Sequence, residues 1–173
     1  MITIDDFWAI DDHIKEKWGK KYYNFIYYCG LEPIRPMKNE EYFCTPRNSC
    51  SFASTGGDGV HFSFVDGRNL NGEPGPIVMT VPMADNNNFI VAEDLEEFFS
   101  IGFYVGWFGL EQLAYDFEET LEYFSKPDDD FSKEELLFLQ LIRDKLNICH
   151  KPLTKTRLKE LHETYFHKLI IGD

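Results

Sequence analysis

The stretch Phe52-Ala-Ser-Thr-Gly-Gly-Asp-Gly-Val-His-Phe-Ser-Phe-Val65 decides the fold. Val60, Phe62 and Phe64 alternate with His61, Ser63 and Val65, the period of a strand whose successive side chains leave opposite faces. Gly56-Gly-Asp-Gly59 before it supplies residues that reach positive φ cheaply, so it reads as a hairpin turn. Asp66 to Gly75 is a second turn region, rich in Gly and Asn. Ile77-Val-Met-Thr-Val-Pro-Met83 reads as a strand ended or edged by Pro82, which has no amide to give to a ladder. Asp85-Asn-Asn-Asn88 turns again, and Phe89-Ile-Val-Ala92 is a short further strand. Turns this brief join antiparallel neighbours, because parallel ones need long crossovers. The expectation is an antiparallel sheet of about four strands over residues 49–92.

Helical periodicity flanks this sheet. Phe7, Ile10, Ile14 and Trp18 predict an N-terminal helix capped by Asp5 or Asp6. Tyr22, Phe25, Ile26 and Cys29 predict a second, closed by Gly30; Pro33 and Pro36 then read as an irregular connection to about Asn48. Asp94 with Glu97 reads as a capping box for a helix to about Tyr104. Leu110, Leu113, Phe117, Leu121 and Phe124 predict one further helix. Ser132 with Glu135 opens a helix to about Ile148, and Pro152 with Thr154 opens a last one to about Ile170. Strands between two helical regions make an α+β class, and 173 residues suit a single domain spanning 1–173.

The charge is unevenly placed. The net charge is −13, and residues 49–124 hold 13 Asp and Glu against one base, Arg68. Residues 1–48 carry 8 acids and 7 bases, and residues 125–173 carry 9 of each, so the middle block holds −12 of the total. So few cations disfavour nucleic acid, whose affinity comes from neutralising phosphates, and anionic membranes. No apolar run is long enough to span a bilayer, and the N-terminus lacks a signal peptide's basic and apolar regions. The expectation is a cytoplasmic protein whose four cysteines are reduced.

Several motifs fall short of a chemistry. Gly56–Gly59 is similar to the phosphate loop of lipid kinases, but such a loop needs a helix after it, and here a strand follows. His162 and His167 lie five apart, about 140° round a helix, whereas zinc-protease ligands lie four apart on one face. Cys44, Cys50 and His61 lack the Cys-x-x-Cys spacing of a metal site. Cys149 and His150 are neighbours whose side chains diverge, and Asp66 to Glu73 departs from a calcium loop. No catalytic residue, metal or cofactor is expected, so the reading is a non-enzyme.

The order from Phe52 to Phe99 resembles the SUKH superfamily (the Smi and Knr type). The matching positions are Phe52, Ala53, Gly57, Asp58, Phe62, Phe64, Leu95, Glu96, Glu97, Phe98 and Phe99. The resemblance covers residues 49–124, and 126–173 reads as a helical C-terminal extension. It implies an immunity protein that neutralises a toxin by stoichiometric binding. Many such toxins are nucleases with basic clefts, which an acidic face would attract and block. The contacts are expected from Asp58, Asp66, Glu73, Asp85, Glu93 and Glu97. The alternatives are a regulatory or scaffolding domain of the same fold, and an enzyme or nucleotide binder using the Gly56–Gly59 loop.

Overall fold

A computed structural model describes residues 1–21, 26, 29–66 and 75–172. The sheet has five antiparallel strands, β1 Glu32–Lys38, β2 Ser49–Ser54, β3 His61–Val65, β4 Ile77–Thr80 and β5 Asn88–Ala92, paired in chain order. The fifth strand is β1, which the sequence reading left as an irregular connection. Pro33 and Pro36 remove amides, but β1 is an edge strand with β2 as its one neighbour, where a missing donor is tolerated. Helices α1 Ile4–Trp18, α2 Leu95–Ile101, α3 Phe117–Tyr123, α4 Lys133–Leu146 and α5 Lys155–Tyr165 complete the α+β fold.

Local chemistry sets the element ends. Thr3, not Asp5 or Asp6, caps α1: its hydroxyl accepts the Asp6 N–H at 3.3 Å, and the Asp6 carboxylate accepts the Thr3 N–H at 2.8 Å. Asp94 caps α2 as expected, but Glu97 reaches back to the amide of Glu93 at 2.7 Å, one residue beyond the cap. The Ser132–Glu135 box and the Thr154 cap both form. The single helix expected through Leu110 and Phe124 is instead a 3-10 segment, Phe108–Ala114, followed by α3. Asp116 stands between them with its carboxylate on the Glu119 amide, starting a new helix. Of the second N-terminal helix, residues 22–25, 27 and 28 lie outside the described residues; Ile26 and Cys29 are helical and buried.

Both faces of the sheet are covered, and this is why β3 is buried at every position. One face carries the aromatic core. Phe52 and Phe64 stack at 4.6 Å, and Phe98 of α2 meets Phe52 at 5.4 Å and Phe62 at 5.0 Å. Phe7 of α1 closes on Phe99 at 5.5 Å. A bulge between Ser51 and Ala53 lets Phe52 turn into this core alongside Ala53. The opposite face is smaller and partly polar. Val65, Val78 and Ile90 pack on Leu161 of α5, while Ser51 bonds Ser63 at 2.7 Å and Thr80 donates to Asn88 at 2.8 Å. These cross-strand pairs satisfy one another where water is excluded.

The chain's end closes that second face. Asn48 accepts the Ile170 amide at 2.9 Å and donates to the Lys168 carbonyl at 2.9 Å, and Arg47 donates its amide to the Ile170 carbonyl at 2.7 Å. No described helix is long and apolar enough to cross a membrane.

Candidate functional site

A hollow of about 560 Å³ lies between the 3-10 segment, α3 and the start of α4. Phe108, Tyr123 and Phe131 wall it with rings, and Glu111, Asp116, Glu119 and Glu135 are its charged groups. No Lys or Arg lines it among the described residues.

Its shape follows from one buried anchor. Trp107 is fully buried, donates its indole N–H to the Phe98 carbonyl at 3.0 Å and stacks on Phe98 at 5.8 Å. The Trp107 amide donates to the Cys29 carbonyl at 2.7 Å. Gly30, at φ 66°, lies so close to the Phe108 backbone that a Cβ there would collide with it. The glycine therefore does two jobs: it turns the chain through a conformation other residues avoid, and it admits the Phe108 wall. On the far side Tyr123 packs edge-on against buried Phe124 at 5.7 Å.

The local field is negative. Burial, then the charge of Asp58, pushes the Glu111 carboxyl above its ordinary value. Burial, then a hydrogen bond to Asp128, pushes the Tyr123 hydroxyl up to about 12, and the charge of Glu135 adds to this. Among the described residues no cation pairs with either group.

The six acids singled out from the sequence do not come together. Asp58 sits exposed at the tip of the β2–β3 hairpin, at φ 49°, close enough to Glu111 to raise it. Asp66 follows β3 and accepts the Asn48 side-chain amide at 2.6 Å. Asp85 is exposed in the β4–β5 loop. Glu73, like Arg68, lies outside the described residues.

Glu93 and Glu97 are already occupied. Arg157 of α5 bonds Glu97 at 2.6 Å and Glu93 at 2.9 Å, and the Tyr165 hydroxyl donates to Glu93 at 2.5 Å. The Tyr165 bond and then Arg157 hold Glu93 below the usual carboxylate range. Lys151 pairs with Glu96 at 3.3 Å and Lys155 with Glu118 at 2.6 Å. The C-terminal bases thus neutralise one side of the acidic block, while no described ion pair reaches the four acids that line the hollow. Glu111, Asp116 and Glu119 were not among the six acids singled out from the sequence, because no local motif joins them to the rings that wall the hollow. Glu135 comes from a separate element, and only tertiary packing adds it.

The Gly56–Gly59 run is the hairpin it was read as. Thr55 donates its amide to the Val60 carbonyl at 3.1 Å, and β3 follows, so no helix N-terminus faces the loop. Beside it a second hollow, about 270 Å³, is lined by Glu32, Glu40, Tyr42, Asp58 and His61 among others. His61 donates from Nδ1 to the Gly59 carbonyl at 2.7 Å, leaving Nε2 to accept the Thr45 hydroxyl at 3.1 Å. Burial lowers its pKa below 6.5, against smaller raising effects of that Gly59 bond and of Glu40. Below 6.5 the unfolded chain therefore takes up a proton that the folded chain resists. Stability from neutral His61 is complete above pH 6.5 and declines as pH falls through the lowered folded value. Urea midpoints at about pH 7.5 and 5.5 should drop more for the native chain than for His61→Gln. An equal drop in both would remove His61 as the cause.

Among the described residues no group of three His, Cys, Asp or Glu could hold a metal ion. Cys29 and Cys44 are buried, and burial pushes both thiols up, away from the reactive thiolate. No family model, no curated protein and no solved structure matches the chain.

Proposed function

We propose that this chain is a non-catalytic binding module for a basic protein, acting as an immunity protein that neutralises a nuclease-like toxin by stoichiometric binding. The observation that carries the reading is the sorting of charge. Described ion pairs engage Glu93, Glu96, Glu97, Glu118 and Glu122, whereas none engages Asp58, Glu111, Asp116, Glu119 or Glu135. A face of one sign speeds encounter with the opposite sign and repels nucleic acid, so it can occupy a basic cleft where a phosphate backbone would lie. The resemblance of residues 49–124 to the SUKH superfamily supplies the toxin context.

The test is association kinetics with small basic nuclease domains, any encoded by a neighbouring gene first. The on-rate should fall by about tenfold between low and physiological salt, and a one-to-one complex should abolish cleavage. Asp58→Lys with Glu119→Lys should slow association further. Salt-insensitive binding, or a complex that still cleaves, would defeat the proposal. A scaffolding domain is the second reading, favoured by the ion pairs that make Glu93 and Glu97 structural. It expects the same charge reversals to leave partner binding unchanged.

A further inference from the structure

We infer that the hollow walled by Phe108, Tyr123 and Phe131 receives an arginine side chain from the protein partner. This rests on the reading of the chain as a binder of basic proteins, and it gives that reading a position and a chemistry. Carboxylates alone would describe any solvated face. Here they border a hollow whose walls are aromatic and whose position is set by buried Trp107.

The two features select the same occupant. Apolar walls favour a weakly hydrated group, and the charged lining groups are all acids. A guanidinium meets both demands: it is planar, stacks on rings and takes carboxylate oxygens two at a time. An ammonium is compact and strongly hydrated, so it loses more on leaving water. A metal ion needs oxygens converging at about 2–2.6 Å, and no described group of three residues offers that. A hollow of about 560 Å³ accommodates more than one side chain, within the span of about 300–1,000 Å³ usual for ligand sites. The acidic surface also continues through Asp58 to the hollow lined by Glu32 and Glu40. A basic protein surface can supply cations to both hollows at once, which favours it over a free polyamine.

The probe is an end-blocked, fluorescein-labelled octapeptide with two arginines, read by anisotropy. A citrulline counterpart and unlabelled spermidine serve as competitors. The arginine peptide should bind, and Glu111→Gln with Glu119→Gln should weaken it by about fivefold. Asp144→Asn with Glu163→Gln, which removes the same charge outside the hollow, should leave binding unchanged. Phe131→Ala keeps every charge and should also weaken binding. If that variant misfolds, amide shifts of the native chain on adding peptide should concentrate in residues 105–123 and 131–135. Equal weakening by the outside pair, equal binding of the citrulline peptide, displacement by spermidine at matching concentration, or shifts elsewhere would each overturn the assignment. If basic nuclease domains still associate with salt-dependent rates while the hollow variants change nothing, the assignment alone falls. If neither probe binds, the wider reading falls with it.

Discussion

Trp107→Ala is expected to lower the free energy of unfolding by about 3–5 kcal/mol, the range for deleting a buried large aromatic. The indole touches Phe98 and Phe99 with ring centroids at 5.8 Å each, and Phe98 in turn contacts both Phe52 and Phe62 of the sheet. Its removal opens a cavity next to Gly102, where the backbone is close enough that a Cβ would strike the indole ring. It also strands the Phe98 carbonyl that accepts the indole N–H. Urea titration would show the loss as a lower midpoint at unchanged slope. Trp107→Phe should recover part of the packing but not the hydrogen bond. A loss below about 1 kcal/mol would mean that the site collapses freely and that Phe108 is not held by this anchor.

Arg157→Met is expected to release the C-terminal helix, at a cost of about 2 kcal/mol, the scale for hydrogen bonds between charged groups. Arg157 bonds both oxygens of Glu97, at 2.6 and 3.0 Å, and reaches Glu93 at 2.9 Å. Helix α5 is otherwise held by two buried leucines, Leu158, which joins the main core, and Leu161. Its apolar contacts to the second sheet face run through Leu161 against Val65, Val78 and Ile90, a cluster apart from the main core. Hydrogen exchange should quicken in residues 155–170 of the variant while β2 and β3 keep their protection. Exchange unchanged in that segment would show that Leu158, Leu161 and the bonds of Asn48 suffice to dock the tail. Raised salt should reproduce the effect weakly, because Arg157 is only partly exposed and so partly screened.

The hairpin was legible in the sequence because its information is local. Alternation over six residues after a glycine turn permits one geometry, and β2 and β3 pair across Gly56–Gly59 accordingly. The caps at Asp94, Ser132 and Thr154 were legible for the same reason. Strand β1 was not, because its prolines are penalised everywhere except at an edge, and being at an edge is a property of the sheet. The break between the 3-10 segment and α3 was hidden by apolar spacing that fits one long helix. Packing decided otherwise, with Gly109 against Tyr123 and Asp116 starting a fresh helix.

By itself the sequence determined the α+β class, the hairpin at its centre and the concentration of negative charge in residues 49–124. It could not say which of those charges face outward unpaired. Lys126 meets Glu122 only four residues away, but the other pairs depend on where Lys151, Lys155 and Arg157 come to rest, between 37 and 64 residues along the chain from the acids they meet. Such pairing depends on distance in space, and attraction between exposed charges is largely screened beyond about 8 Å at physiological salt. Only the tertiary structure could bring those distances about. It made Glu93 and Glu97 a clasp for the last helix, and it brought Glu135 to the aromatic hollow where Glu111 and Glu119 already stood.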